Sequence, residues 1–290
     1  MKLYFWVIIL CFIFTNCEKE VNINFPKHKI APVLNCLFSQ DSVFKVHISK
    51  SAPILNNFRS RIGDATVQLF EDDKMVEELS FDGSIYGSSI IPQPKKIYRI
   101  EANTPEFQHI TAFDYIPTKP HIISASFKDS VYKDEDGFDM SQAKIKIQDN
   151  PNNKDYYELI LVSKPIGPYY SVSYDMTNND PVLLNEDILE YLPEYLVFSD
   201  ELFDGKNYTF TVNYGTPVYN DEQIKHELTI YLRHISENYY KYKKRLLIHL
   251  YNQDSDIWDG IGDPVPMYTN IENGFGIFAG YSQIKKIIQN

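Results

Sequence analysis

The feature that most constrains the fold is a strict alternation over residues 64–70 (DATVQLF), with Ala65, Val67 and Leu69 on one face and Thr66, Gln68 and Phe70 on the other. Successive side chains of a strand point to opposite faces of the sheet, so this period of two marks a strand with one buried face. The polar cluster Glu71-Asp72-Asp73-Lys74 follows, and residues 75–81 return as a second apolar-rich run, which predicts a hairpin. Similar runs recur at 31–38, 43–48, 97–102 and 109–113, and again at 122–127, 143–147, 156–162, 208–212 and 227–233. Short strands at this spacing, without a long amphipathic helix between them, read as β-sandwiches. Pro117 and Pro120 bracket the expected linker. The chain is therefore expected to be mainly β, with two β-sandwich (immunoglobulin- or fibronectin-like) domains over 27–117 and 118–290.

Two segments depart from the strand pattern. Residues 163–199 are rich in Tyr, Asn, Asp and Pro and read as a long insertion in the second domain, not as a sheet strand, with a short helix expected at 187–195. Ser236 is placed to cap one amphipathic helix over 237–253, with Tyr239, Tyr242, Leu246, Leu247 and Leu250 on its apolar stripe. Lys241, Lys243, Lys244 and Arg245 fall largely off that stripe. They are expected to form a solvated face, the alternative being a positive island for lipid phosphates or an acidic partner. Residues 270–280 (NIENGFGIFAG) read as a Gly-rich turn into a final strand.

The first 16 residues set the address. Lys2 and the amino terminus precede an apolar run of 12 residues, 3–14. A membrane span needs about 20 residues, so the run fits the core of a secretory signal instead. Cys17 stands where cleavage falls, after Phe14-Thr15-Asn16. That placement resembles the lipobox of bacterial lipoproteins, in a relaxed form similar to that of the Bacteroidota. Cys17 is expected to carry the lipid anchor; the competing reading is an ordinary residue behind a plain signal peptide. Residues 17–26 form the tether, and Glu18-Lys19-Glu20 resembles the acidic signal for export to the cell surface. The expected location is the outer membrane, lipid-anchored and exposed on the surface.

Charge and motif content narrow the function. With 28 Lys+Arg against 39 Asp+Glu the formal net charge is −11, and a net acidic chain repels phosphate backbones, so nucleic acid is not an expected partner. With Cys17 acylated, Cys36 is the one thiol of the mature chain; in its apolar run it reads as buried and inert. The seven His show no zinc spacing, and Ile85 holds the nucleophile position of Gly83-Ser84-Ile85-Tyr86-Gly87. Acidic runs at 134–139 and 254–260 fall short of calcium loops. Tyr132 takes the first ligand position of one, and Trp258 and Val265 take the third and closing positions of the other. No catalytic residue, metal ligand or cofactor is therefore expected. The aromatic pair Tyr169-Tyr170, after Gly167-Pro168 in the insertion, is the expected ligand contact.

Several phrases together carry a resemblance: residues 17–21 (CEKEV), 64–73 (DATVQLFEDD), 98–102 (YRIEA), 199–206 (SDELFDGK), 232–242 (LRHISENYYKY) and 270–278 (NIENGFGIF). They resemble the Bacteroidota lipoprotein family catalogued as domain of unknown function 4249. One departure is Lys95-Lys96-Ile97, where the family pattern has Gly-Lys before the Tyr-Arg strand. The resemblance implies a β-rich envelope lipoprotein, often encoded beside a TonB-dependent receptor, and supplies no catalytic residues. The expected function is a non-catalytic accessory of such a receptor in nutrient capture or uptake. The alternative is a structural, adhesive or envelope-assembly lipoprotein acting through protein–protein contacts, and a hydrolase has no signal in its favour.

Overall fold

The computed structural model describes residues 29–53, 60–151, 153–167, 180–188, 194–219, 222–254 and 265–289. No helix among them is long and apolar enough to cross a membrane. The first part of the chain forms β1 (Pro32–Ser39), β2 (Lys45–Lys50), β3 (Thr66–Glu71), β4 (Lys74–Glu78), β5 (Ser80–Phe81), β6 (Tyr86–Gly87), β7 (Ile97–Asn103) and β8 (Ile110–Tyr115). The second forms β9 (His121–Lys133), β10 (Asp139–Gln148), β11 (Tyr156–Pro165), helix α1 (Pro181–Leu184), β12 (Leu196–Ser199), β13 (Asn207–Gly215), β14 (Val218–Tyr219), β15 (Glu222–Gln223) and β16 (His226–Ile235). Helix α2 (Glu237–Asp254) and β17 (Phe275–Gln289) close the chain. The architecture is mainly β and sandwich-like.

One eight-stranded sheet, in the order β12-β11-β16-β17-β1-β2-β6-β5, runs through the whole molecule. A four-stranded sheet (β4-β3-β7-β8) and a three-stranded sheet (β13-β10-β9) accompany it. The first core lies between the large sheet and the four-stranded one: Leu34, Cys36, Phe38, Val46 and Ile48 meet Val67, Leu69, Tyr98, Ile100 and Ile110. The alternation over 64–70 places Val67 and Leu69 in that core as expected. Burial pushes the Cys36 thiol up to about 12, which keeps it protonated and inert. The second core joins Leu159, Leu161, Leu228, Ile230 and Leu232 of the large sheet to Ala143, Ile145, Ile147, Phe210 and Val212. Helix α2 covers the opposite face, where Tyr239 and Leu247 pack with Tyr156, Ile235, Ile277 and Ala279. Ser236 caps it, its Oγ accepting from Tyr239 N at 3.2 Å.

Strand β17 belongs to both cores. Its first half pairs parallel with β1, from Val33↔Phe275 to Ser39↔Tyr281. Its second half pairs antiparallel with β16, from Ile235↔Tyr281 to Glu227↔Gln289. The first core accordingly contains Ile271 and Phe278, far beyond the linker at 117–120. The crossing is clasped by buried Asp114 of β8, whose Oδ2 accepts from Gly280 N at 3.1 Å and from the Ser236 hydroxyl. Ser236 N donates to Gly280 O at 3.1 Å, and Ser282 Oγ donates to Pro117 O at 2.5 Å. The backbones approach so closely that a Cβ on Gly280 would lie 2.2 Å from Tyr115 O.

The insertion differs from its expected form. Its first residues continue β11, and its last four are β12, an edge strand of the large sheet, paired Tyr156↔Ser199 to Leu159↔Leu196. The reason is burial on both faces: Leu196 and Phe198 enter the second core while Val197 enters the layer under α2. The short helix lies at Pro181–Leu184. Residues 187, 188, 194 and 195 are not helical, and 189–193 lie outside the described residues. Asp180 caps α1 through Val182 N (3.1 Å) and ties it to β13 by accepting from Tyr208 OH (2.8 Å) and Thr211 N (3.1 Å).

Lys95 occupies φ +65°, the left-handed region that favours glycine, held by its N–H to Ile116 O at 2.9 Å. This is the position where the family resemblance expects Gly. Lys95→Gly is predicted to stabilise the fold by about 0.5–1 kcal/mol in urea unfolding, because relief of the Cβ clash outweighs the added chain entropy. Gly280→Ala is predicted to cost ~3 kcal/mol or more, since a rigid carbonyl cannot withdraw as a flexible side chain can. A cost under ~1 kcal/mol would show that the crossing has slack.

Candidate functional site

The pleat at one end of the large sheet builds the site. Tyr156 opposes Ser199 in the register of β11 and β12, and Asp200 N donates to Asp155 O at 3.1 Å just beyond that pair. Successive residues therefore turn to opposite faces. Lys154, Tyr156, Ser199 and Glu201 line a cleft of about 270 Å³ on the α2 side, closed by Glu186 after α1 and by Glu237, Tyr240, Lys241 and Lys244 of α2. Asp155 and Asp200 turn the other way, toward Asp149 and His234.

The floor of the cleft is a saturated network around buried Glu186. Its Oε1 accepts from Ser199 N at 2.7 Å and Ser199 Oγ at 3.1 Å. Its Oε2 accepts from Lys244 Nζ at 2.8 Å and from the Tyr240 hydroxyl. Burial, and then the bond to Glu186, push the Tyr240 hydroxyl well up, so it remains a neutral donor. Lys241 pairs with Glu237 at 3.0 Å, one helical turn apart. The Tyr156 and Tyr240 rings meet at a centroid distance of 4.6 Å and form the aromatic wall. Among the described residues, Lys154 and Glu201 at the mouth have no ion-pair partner; Lys154 Nζ sits 5.7 Å from the Tyr156 ring centroid.

The basic run of α2 is thus not a plain solvated face. Lys244 serves Glu186, and Lys243 turns inward to Glu158 of β11, which is 0% exposed, at 3.0 Å. Glu158 also takes Arg233 Nη1 at 2.6 Å and Tyr239 OH at 3.0 Å. The helix rotates to satisfy these buried acids, so Leu250 of the expected apolar stripe is left exposed.

On the other face of the same strand ends, carboxylate oxygens of Asp149, Asp155 and Asp200 lie within 4.8 Å of one another, all three buried. Protein donors already occupy much of this set. Asp149 accepts from Tyr157 OH (2.6 Å) and Gly205 N (2.8 Å), and Asp200 Oδ2 accepts from Asp155 N (2.8 Å). His234 faces oxygens at both ring nitrogens, Thr118 O at 2.9 Å and Asp155 Oδ1 at 3.3 Å. A hard cation takes about six to eight oxygens, more than these three side chains supply once their donors are counted. Burial, and then the neighbouring Asp149 and Asp155, push the Asp200 carboxyl up to about 6.

Cys17, Tyr169 and Tyr170 lie outside the described residues, as does most of the acidic run at 254–260. The run at 134–139 is a turn that closes on itself: Asp134 Oδ1 accepts from Phe138 N at 2.8 Å, with Gly137 at φ +85°. Residues from four separate segments make the cleft, and composition or spacing gave no sign of it. The phrases at 199–206 and 232–242 nevertheless contain Ser199, Glu201, Glu237, Tyr240 and Lys241.

The acid cluster yields a pH prediction. A carboxyl whose folded value is raised binds more protons in the folded state than in the unfolded one, so its contribution to stability falls as pH rises from about 4 through 6. Asp200→Asn keeps an acceptor for Asp155 N and removes the charge. Relative to the native chain, its melting temperature is expected to rise on going from pH 5 to pH 8; a constant difference across that range would contradict the assignment.

No curated protein matches the chain. Among solved structures it is similar to the collagen binding domain of the surface protein RspB of Erysipelothrix rhusiopathiae, at 11% identity over 87% of this chain and 96% of that one. The TM-score is 0.19, at which the two backbones do not superpose as one fold. The family model described as a domain of unknown function, DUF4249, matches residues 18–287, through both cores, the clasped crossing and the cleft, and the chain belongs to that family.

Proposed function

We propose that this protein is a surface-exposed outer-membrane lipoprotein, anchored through Cys17, that serves as a non-catalytic accessory of a TonB-dependent receptor in nutrient capture or uptake. The observation that carries the reading is Cys17 itself, placed behind an apolar run of 12 residues and before the acidic Glu18-Lys19-Glu20. The family match begins at residue 18, directly after that cysteine, which supports treating 1–16 as a leader and 17–26 as a tether. The relaxed lipobox and acidic tether are of the kind found in Bacteroidota lipoproteins. The cleft supports capture over chemistry: its floor carboxylate is tied to four donors and its helix cations are paired, an arrangement suited to holding a ligand.

The test is made in the native host. Cells fed an alkyne fatty acid are expected to label the protein, and Cys17→Ser is expected to abolish the label and release the chain from the membrane. Protease added to intact cells is expected to digest it. Gentle detergent extraction is expected to recover a TonB-dependent receptor in stoichiometric amount. An unlabelled, soluble periplasmic protein would overturn the reading. Recovery of an assembly machine or a surface polymer in place of the receptor would replace it with the structural alternative.

A further inference from the structure

We propose that the cleft beneath the N-terminal half of α2 holds a small zwitterionic ligand, a free amino acid or a short peptide, with its carboxylate on Lys154 and its ammonium on Glu201. The inference names a ligand class for the capture reading above and rests on it.

The charge inventory of the cleft carries the argument. Three cations and three anions line it, and two pairs are internal: Lys244 with Glu186 and Lys241 with Glu237. What remains is one ammonium and one carboxylate at the mouth. Both side chains are exposed, and neither has an ion-pair partner among the described residues. A ligand of a single charge meets one of them and leaves the other unanswered beside it. A net-neutral dipolar ligand answers both at once, which is how electrostatic complementarity gives selectivity.

The two strand ends bring both charges to one cleft. Tyr156 and Ser199 are directly opposed; beyond them Asp200 N donates to Asp155 O, and Asp155 N donates to the Asp200 side chain at Oδ2. Lys154 and Glu201 follow on the two strand ends, and both line the cleft. The volume of about 270 Å³ lies at the small end of ligand pockets, which start near ~300 Å³, so the occupant is small. The Tyr156–Tyr240 wall offers apolar surface to a ligand side chain. The floor cannot rearrange to neutralise Lys154 or Glu201, because Glu186 is already bound by Ser199, Tyr240 and Lys244.

The test is calorimetric titration of the full lipidated protein in detergent with free proteinogenic amino acids and glycylglycine, and with acetate, methylammonium and glucose at matched concentration. Saturable binding of at least one zwitterion is expected, with none of the three controls competing. Lys154→Met and Glu201→Gln are each expected to weaken that binding at least ~tenfold. Both positions are exposed, so unchanged thermal melts will show that the variants fold. Absence of any zwitterion binding overturns the proposal, as does acetate binding that survives Glu201→Gln, or glucose binding that survives both variants. A receptor that co-purifies with a protein whose cleft takes no zwitterion discards this ligand class and leaves the accessory reading standing. Ligand binding without a receptor does the reverse.

Discussion

Near Tyr281 the last strand leaves its parallel partner β1 and takes up its antiparallel partner β16, and the rest of the molecule depends on that exchange. A sheet divided at the linker would present two long unpaired edges, each a template for aggregation. The shared strand removes both by making the two halves one continuous sheet. The crossing requires the chain to pass close under β8, which is why the position is Gly280 and why a buried carboxylate stands beside it. Asp114 collects the Gly280 N–H and the Ser236 hydroxyl, and burial pushes its carboxyl up to about 7. One side chain thereby joins the first sandwich, the crossing and the start of α2. Because β1 pairs with residues some 240 positions later, the first sheet is completed only when the C-terminal strand arrives, a topology of high contact order and slow folding.

The continuous sheet also decides where the helix lies. Both small sheets occupy one face, so α2 takes the other, over strands that carry buried acids there. Glu158 sits beneath it with no exposure, and an unpaired buried carboxylate costs several kcal/mol, far more than a surface ion pair returns. Arg233 from β16 and Lys243 from the helix answer it together. Docking of α2 is thus set by ions as well as by apolar contact, and its rotation follows the lysines more closely than the leucines. Lys243 also stands 3.4 Å from the Tyr195 ring centroid, a cation–π contact that binds the insertion to the helix.

The cleft and the acid cluster share their backbone. Residues 154–156 and 199–201 send alternate side chains to the two faces of the sheet, so Lys154 and Glu201 are presented to the cleft by the same residues that anchor Asp155 and Asp200 behind it. The Asp155 N–H held by Asp200 Oδ2 lies between the two sites.

The mainly β class, the hairpin at Thr66–Glu78, the capped helix after Ser236 and the inert Cys36 all follow from local pattern, because period, turn chemistry and capping act between residues close in sequence. At Lys95, where the family pattern has Gly, the backbone takes the left-handed conformation that glycine favours. Composition misled at 196–199, where a strand buried on both faces lacks the alternation that marks a half-exposed one. The basic run misled for a related reason: a lysine's partner lies on another strand, and nothing local reveals whether that partner is buried. The sequence by itself determined most of the strands and where the helix begins. Only the tertiary structure decided that β17 serves both cores, that Lys243 and Lys244 of α2 turn to buried acids, and that Lys154 and Glu201 line one open cleft. Each of these joins residues distant in sequence, and such pairings are set by packing and by the desolvation of buried charge, neither of which has a local signature.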